Sequence, residues 1–274
     1  FPAGRVGAPR LALLSLWTVY LASMANLARA YITEDKIYWV NRNTETVQRV
    51  SVDDGQDLET VLTLDGQQPT AVALDEARCV MYVSTKSTRR IIQARLDGGG
   101  ATTWLDVDKD GLAWVTGLFV DSANEYLYYS QTNFRILRKS LTSGSAAEEL
   151  MHYGVVEDDD EPPVGAGPSG YWVGHLPLAV NTATSPATAY WGDNDWHFIA
   201  YQTWGTVAAD LDDTNDFYEA WTTSLYNPEA LTLDSTNGWL YWSDLSFSPA
   251  HIARMRLSDA GSMATSAAQI VLTG

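Results

Sequence analysis

The chain has 274 residues, with 17 Lys and Arg against 34 Asp and Glu, a formal net charge of −17 and an isoelectric point near 4.4. Such a charge repels phosphate backbones and anionic lipids, which argues against nucleic-acid binding. The single cysteine, Cys79, excludes an intramolecular disulfide and a zinc site built from several cysteines.

The first thirty residues are predicted to be a hydrophobic leader helix that precedes the fold. Arg5 and Arg10 come before an uncharged run over residues 11–28, and residues 28–30 have the small–x–small pattern of a signal-peptidase site. The run is near the lower length limit for crossing a bilayer, so a retained membrane anchor is the alternative, and a buried helix is a second one. Cleavage and anchoring both place residues 31–274 outside the cytosol, and only the anchor involves a membrane.

A short aromatic strand then recurs at intervals of roughly 40 to 60 residues. Its five copies are residues 37–41, 81–84, 127–130, 189–193 and 240–244. A second strand with a turn glycine follows each copy, and strands that end in an acid, such as residues 71–75 and 230–234, precede two of them. Four short strands per unit predict an all-β propeller, one unit per blade. A β-sandwich is the alternative, but it does not explain the fixed spacing.

An acidic turn after the second unit is a candidate calcium loop. Asp106, Asp108 and Asp110 alternate ahead of Gly111, which is the spacing at which carboxylates converge on calcium. An EF-hand would need a glutamate at the twelfth position, where Gly117 stands. A solvated acidic turn is therefore the favoured interpretation, and calcium is the alternative cofactor.

A longer interval between the third and fourth aromatic strands indicates an inserted loop at about residues 154–174. Residues 157–161 are all acidic, and prolines and glycines follow them. Such a run is typical of a solvated excursion, although it could also bind cations or a basic partner.

Three motifs at fixed offsets carry a resemblance to a known family. They are Tyr241-Trp242-x-Asp244, Ile252-x-Arg254-x-x-Leu257 and Pro228-x-x-Leu231-x-x-Asp234. The chain resembles the YWTD repeats of the low-density lipoprotein receptor class B family over about residues 36–274. In this comparison Ser84 and Ser130 replace the motif aspartate, and Asn41 substitutes an amide for it.

The resemblance implies a six-bladed propeller, of which five blades are recognisable here. A sixth unit and a strand that would close the ring are absent from the sequence, so truncation at the C-terminus is expected. A closed ring of five blades is the alternative.

The resemblance also implies an extracellular module that binds a protein on the propeller face. The alternative is a secreted, calcium-dependent hydrolase of the lactonase or strictosidine-synthase-like class, with calcium at the axis. Alignment of the inner strands places Thr70, Thr116, Leu176 and Glu229 near the axis entrance, and only the last is ionisable. Because an axial metal needs several oxygen ligands, we expect a binding module rather than an enzyme.

The predicted ligand-binding face consists of Tyr226 and Glu229, with Thr70 and Thr116 across from them. Its expected partner is an extracellular protein segment that is basic or of mixed charge. The tryptophans of the aromatic strands, Trp39, Trp191 and Trp242, are predicted to pack between blades. The aromatic residues predicted to form an exposed contact surface are Trp114, Tyr171, Trp172, Trp196, Trp204 and Tyr226.

Overall fold

The structure is a computed structural model that describes residues 27–33, 36–51, 58–107, 113–132, 135–152, 177–193, 198–204, 218–221, 228–244, 250–259 and 269–273. In these ranges, twenty strands form five four-stranded antiparallel sheets, each from four consecutive strands. We number these sheets blades 1 to 5 in chain order.

The strands run from the inner to the outer edge of each blade. Blade 1 contains β1 (Leu27–Thr33), β2 (Lys36–Asn41), β3 (Thr46–Ser51) and β4 (Glu59–Thr63). Blade 2 contains β5 (Pro69–Asp75), β6 (Val80–Thr85), β7 (Arg90–Arg95) and β8 (Thr102–Asp106). Blade 3 contains β9 (Val115–Asp121), β10 (Tyr126–Gln131), β11 (Arg135–Ser140) and β12 (Glu148–His152).

The last two blades follow the same order. Blade 4 contains β13 (Leu178–Asn181), β14 (Thr188–Asp193), β15 (Phe198–Thr203) and β16 (Tyr218–Trp221). Blade 5 contains β17 (Pro228–Asp234), β18 (Trp239–Asp244), β19 (His251–Arg256) and β20 (Gln269–Thr273), with a 3-10 turn at Leu257–Asp259. The predicted all-β propeller is confirmed.

The inner strands form a ring. Strands β1, β5, β9, β13 and β17 contact one another in that order, and β17 also contacts β1. The described residues thus form five blades, and a sixth blade is not among them.

The ring begins earlier in the chain than predicted. Residues 27–30, assigned above to the leader, are the first part of β1 and pair with residues 39–41 of β2. This pairing satisfies the backbone hydrogen-bonding groups on the inner edge of β2. The ring therefore starts at residue 27 and not at residue 31. Residues 1–26 and the acidic loop lie outside the described ranges.

The acids that end the inner strands cap the turns that follow. Asp75 Oδ1 accepts a hydrogen bond from the backbone N–H of Arg78 at 3.1 Å, and Asp121 and Asp234 accept the same bond from Asn124 and Asn237. In each turn the next residue has a positive φ, with values of 54° at Cys79, 62° at Glu125 and 70° at Gly238. Side-chain capping stabilises such turns, which explains the recurrence of the acid in the sequence.

One of these acids also joins two blades. Asp75 is fully buried, and its Oδ1 accepts a hydrogen bond from Ser122 Oγ of blade 3 at 2.9 Å. Arg78 spans the same boundary, because Nη1 lies 2.9 Å from Asp75 Oδ2 and Nη2 lies 2.6 Å from Glu125 Oε1. The turn cap thereby becomes a link between neighbouring blades.

A polar ladder crosses blades 1, 3 and 5 at the motif tyrosine. In blade 1, Arg49 Nη1 donates to Tyr38 Oη at 3.0 Å, and Arg49 Nε donates to Glu59 Oε2 at 2.9 Å. The corresponding trios are Tyr128, Arg138 and Glu148 in blade 3 and Tyr241, Arg254 and Gln269 in blade 5. The arginine of the second-strand motif therefore ties the three outer strands together.

The face of a blade that carries this tyrosine, here called the forward face, packs on the next blade. Tyr38, Tyr82, Tyr128 and Tyr190 lie in four buried clusters that join blades 1 and 2, 2 and 3, 3 and 4, and 4 and 5. Burial, with a contribution from the Asp75 carboxylate, raises the pKa of Tyr82 to about 12. Apolar burial between blades is thus the main attraction within the ring.

The buried link at Asp75 predicts that two equivalent substitutions lower the free energy of unfolding by different amounts. Asp75→Ala should lower the free energy of unfolding by about 3 kcal/mol, because it leaves Arg78 and Ser122 without their buried acceptor. The control, Asp234→Ala, removes the same turn cap from a partly exposed site and should cost about 1 kcal/mol. Urea unfolding of both variants measures the difference, and equal losses would contradict the role of Asp75 between blades.

The ladder in blade 1 predicts a loss of stability in acid. Hydrogen bonds from Lys36 and then Arg49 lower the pKa of Glu59, so the carboxylate is favoured in the folded protein. Its contribution is therefore present above the unfolded-state pKa and is lost as pH falls through the lower folded-state pKa. Since Glu59 is 39% exposed, the effect should be below about 1 kcal/mol.

The measurement is the difference in unfolding free energy between the unmodified chain and Glu59→Gln, at neutral pH and in acid. We expect a difference at neutral pH that disappears below the folded-state pKa. A difference that persists unchanged in acid would exclude this explanation.

Candidate functional site at the entrance of the ring

The predicted face residues share a backbone feature that the sequence does not display. The inner strands β5, β9 and β17 each have a register shift at their second residue, which leaves Thr70, Thr116 and Glu229 as the extra residues of three β-bulges. Strand β1 has the same shift at Arg29. Bulges redirect side chains at strand ends, so these four positions form a set around the start of the inner strands.

Two members of this set are internal. Thr70 and Thr116 are fully buried. Thr70 Oγ1 donates to the carbonyl oxygen of Val115 in blade 3 at 2.7 Å and lies 2.8 Å from Ser84 Oγ. Thr116 Oγ1 lies 3.4 Å from Ser130 Oγ. The structure therefore places both threonines between strands and blades, where they stabilise the ring and are not exposed to a protein ligand.

The charged members lie on neighbouring strands. Glu229 is partly exposed at the start of β17 and already interacts with other residues of the chain. Arg29 is the bulge residue at the equivalent backbone position on β1, and β1 contacts β17. Sequence reasoning missed Arg29 because it was assigned to the leader, and Tyr226 lies outside the described residues.

A cationic and an aromatic side chain lie together at the end of the propeller where the inner strands begin. Lys86 Nζ lies 4.3 Å from the centre of the Trp114 ring, and both side chains are partly exposed. The Lys86 N–H donates to the carbonyl of Gln68 at 3.0 Å, and the Thr132 N–H donates to the carbonyl of Trp114 at 3.0 Å. Backbone bonds therefore hold both residues where a ligand can reach them.

We call this region the entrance surface. It consists of the turn at residues 86–89, the segments at residues 65–68 and 113–114, and Glu229. Arg89 adds a second cation to it, in the left-handed conformation with φ 51° and with its side chain partly exposed. The described part of the surface carries both signs of charge.

The strand register corrects the alignment of the aromatic motif. Thr85, Gln131 and Asp244 each lie opposite the first residue of the next strand, namely Arg90, Arg135 and His251. Thr85 and Gln131 therefore replace the motif aspartate, and Ser84 and Ser130 stand one residue earlier. The sequence alignment was wrong by one position, because in both blades two consecutive polar residues could each have replaced the motif aspartate.

The candidate calcium loop is described only at its first two residues, Asp106 and Val107. Asp106 Oδ1 accepts a hydrogen bond from Arg90 Nε at 2.8 Å, on an exposed edge of blade 2. Asp108 and Asp110 lie outside the described residues. No group of three or more metal-ligating His, Cys, Asp or Glu side chains occurs within the described ranges.

The aromatic residues divide much as predicted. Trp191 and Trp242 are buried in the clusters that join blades 3 and 4 and blades 4 and 5, which confirms their packing role, and Trp39 is also buried. Trp204 is a correction: its ring stacks on Tyr128 at 5.1 Å and joins the cluster between blades 3 and 4. Trp114 is the remaining described member of the predicted contact surface. Tyr171, Trp172 and Trp196 lie outside the described ranges.

Comparison with known proteins identifies the repeat. Residues 35–76 match the low-density lipoprotein receptor repeat class B. The chain is a β-propeller that carries a class B repeat. Within the matched segment lie the ladder residues Tyr38 and Arg49 and the turn acid Asp75.

Solved structures of propellers match most of the chain. Nidogen, solved in a complex with laminin, is 18% identical over 90% of this chain and 78% of that chain, with a TM-score of 0.60. A luciferin-regenerating enzyme is 10% identical over 91% of this chain and 76% of its own, with a TM-score of 0.60.

A third match is the PQQ-bound aldose sugar dehydrogenase of Streptomyces coelicolor. It is 15% identical over 91% of this chain and 81% of that chain, with a TM-score of 0.56. At these identities the matches establish the propeller fold.

Within the described residues, no helix has the length and apolar character needed to cross a membrane.

The ion pair at Asp106 predicts the response to calcium. Because Arg90 already neutralises this carboxylate, we expect millimolar calcium to leave the unfolding temperature unchanged, and chelation with EGTA to have no effect. Thermal unfolding followed by circular dichroism measures both. A calcium-dependent rise that disappears in Asp108→Asn would instead show that the loop binds the metal.

Proposed function

We propose that this propeller is an extracellular protein-binding module that docks a segment of a partner protein on its entrance surface. The class B repeat and the fold shared with nidogen support a binding module. The nidogen match was solved in a complex with laminin, so a propeller of this fold occurs in a protein–protein complex. Two other matched folds belong to enzymes, and the fold alone therefore does not decide the function.

The observation that carries the proposal is the pair of Lys86 and Trp114. Their separation of 4.3 Å is a cation–π contact, and the backbone bonds of Lys86 and Thr132 hold the main chain of both residues in place. Prearranged aromatic and cationic side chains lose little conformational entropy on binding, and tryptophan is among the residues that dominate protein interfaces.

The charges of the entrance surface favour a partner of mixed charge. Lys86 and Arg89 attract acidic side chains, whereas Glu229 attracts basic ones. Charge complementarity of this kind orients a partner and suppresses incorrect ones more than it adds affinity. The buried threonines at positions 70 and 116 have a structural role in this proposal.

The test is site-specific photocrosslinking on the surface of the cells that make the protein. A photoreactive residue at exposed Ser87 on the entrance surface should capture a discrete protein, whereas the same residue at exposed Ser143 at the opposite end should not. Lys86→Glu and Glu229→Lys should each weaken capture at least about fivefold, because each reverses a charge that orients the partner.

Arg95→Ala provides the control for a general loss of charge, since this exposed arginine lies at the other end of blade 2. Equal capture from positions 87 and 143 would contradict a role for the entrance surface. Unchanged capture in both charge-reversal variants would contradict it as well.

A further inference from the structure

The turn between the first two strands of blade 4 departs from the repeat. In blades 2, 3 and 5, four residues separate these two strands, namely residues 76–79, 122–125 and 235–238. In blade 4 six residues, 182–187, separate Asn181 from Thr188. None of these six residues has a positive φ, whereas the last residue of each shorter turn has one. A longer loop therefore replaces the tight turn of the repeat.

This loop is rich in hydroxyl groups and contains no charge. Its sequence is Thr182-Ala183-Thr184-Ser185-Pro186-Ala187. Segments that combine serine and threonine with proline are typical acceptors of O-linked glycans. Asn181 does not begin an Asn-x-Ser/Thr sequence, so an N-linked glycan at the loop is excluded. The composition therefore directs attention to the hydroxyl groups.

The tip of the loop is exposed, and its base is fixed. Residues 183–186 are exposed, whereas Asn181 is only 8% exposed. Asn181 Oδ1 accepts a hydrogen bond from the Ala183 N–H at 3.1 Å, and the Trp204 N–H donates to the Ala187 carbonyl at 2.9 Å. Exposed loop tips are the parts of a fold that other enzymes reach most readily.

The two hydroxyl groups of the tip differ in their bonding. Thr184 Oγ1 donates to the carbonyl of Asn181 at 3.3 Å. Ser185 Oγ forms no hydrogen bond with another described residue. In the β11–β12 turn, by contrast, the exposed Ser143 Oγ lies 2.6 Å from Ser145 Oγ. A reaction at Ser185 therefore breaks no hydrogen bond within the described part of the fold.

We propose that Ser185 carries an O-linked glycan. Its Oγ attacks the anomeric carbon of a nucleotide-activated sugar, and the new C–O bond forms as the bond from that carbon to the diphosphate breaks. The nucleoside diphosphate leaves, and the hydroxyl proton passes to a base of the transferase. The inference rests on the extracellular location proposed above, because a chain meets these transferases while it is being secreted.

The surroundings of the loop favour a neutral sugar over a phosphate. A phosphoserine adds about −1.5 to −2 charges, which Lys or Arg side chains usually neutralise. No Lys or Arg occurs between Lys139 and Arg254, so blade 4 offers no such partner, and the chain already has a net charge of −17. A sugar adds hydroxyl groups without adding charge and needs no cation beside it.

The glycan lies away from the entrance surface. Strand β13 begins at the entrance end, and Asn181 is its last residue, so the loop is at the opposite end of the propeller. A glycan there leaves Lys86 and Trp114 accessible. Glycosylation of Ser185 and capture of a partner at the entrance surface can therefore be tested independently.

The experiment is mass spectrometry of the protein isolated from the cells that make it. Chymotrypsin releases the loop, since no Lys or Arg lies near it for trypsin, and electron-transfer fragmentation locates the modified side chain. We expect a hexose or N-acetylhexosamine on Ser185. Ser185→Ala should remove it, and Ser185→Thr should retain it, because threonine also presents a hydroxyl group. The matched control, Ser143→Ala, removes an exposed serine at the same end and should leave this glycan unchanged.

An unmodified Ser185, a phosphate on this residue, or a glycan on the loop that persists in Ser185→Ala would overturn the proposal. Cell-surface labelling of the same sample separates this failure from that of the proposed function. An unmodified chain on the outside of the cell excludes the glycan alone, whereas an unmodified chain inside the cell excludes the extracellular function as well. A glycosylated chain that captures no protein from position 87 contradicts the proposed function and supports the glycan.

Discussion

A four-stranded blade exposes two faces and can bury neither by itself, so every blade of this chain depends on its neighbours. The clusters around Tyr38, Tyr82, Tyr128 and Tyr190 satisfy this requirement between successive blades. A polar link acts at one of these boundaries, where the turn acid Asp75 of blade 2 accepts a hydrogen bond from Ser122 of blade 3. The ring is therefore stabilised chiefly where blades meet, and a residue at a boundary matters more than its equivalent inside one blade.

The same architecture separates residues that hold the ring together from residues that can meet a partner. Four inner strands have a β-bulge near their first residue, which leaves one extra residue at an equivalent position in each of these blades. At Thr70 that side chain is used to bond the next blade, whereas at Glu229 it remains partly exposed. The bulge positions are equivalent in these blades, and the residue type at each position determines whether its side chain bonds a neighbouring blade or stays accessible to a partner.

Much of the fold could be predicted from sequence because periodic motifs report the strand pattern directly. The turn acids precede the motif tyrosines by a fixed interval, and tyrosine–arginine pairs recur in three blades; the structure shows that the acids cap turns and that each tyrosine–arginine pair is a cross-strand contact. The candidate site was harder to predict. The burial of Thr70 follows from a bond to Val115 of another blade, and Trp204 stacks on Tyr128, far away in sequence. Such contacts depend on how blades pack, which no single repeat contains.

The central claim is that the forward faces of blades 1 to 4 are each buried against the next blade, whereas Tyr241 of blade 5 is partly exposed within the described residues. Hydroxyl-radical footprinting with mass spectrometry measures this directly, since oxidation of a tyrosine follows its exposure to solvent. The account predicts slow oxidation of Tyr38, Tyr82, Tyr128 and Tyr190, and distinctly faster oxidation of Tyr241. Equal protection of Tyr241, or fast oxidation of any of the other four, would contradict the arrangement of blades described here.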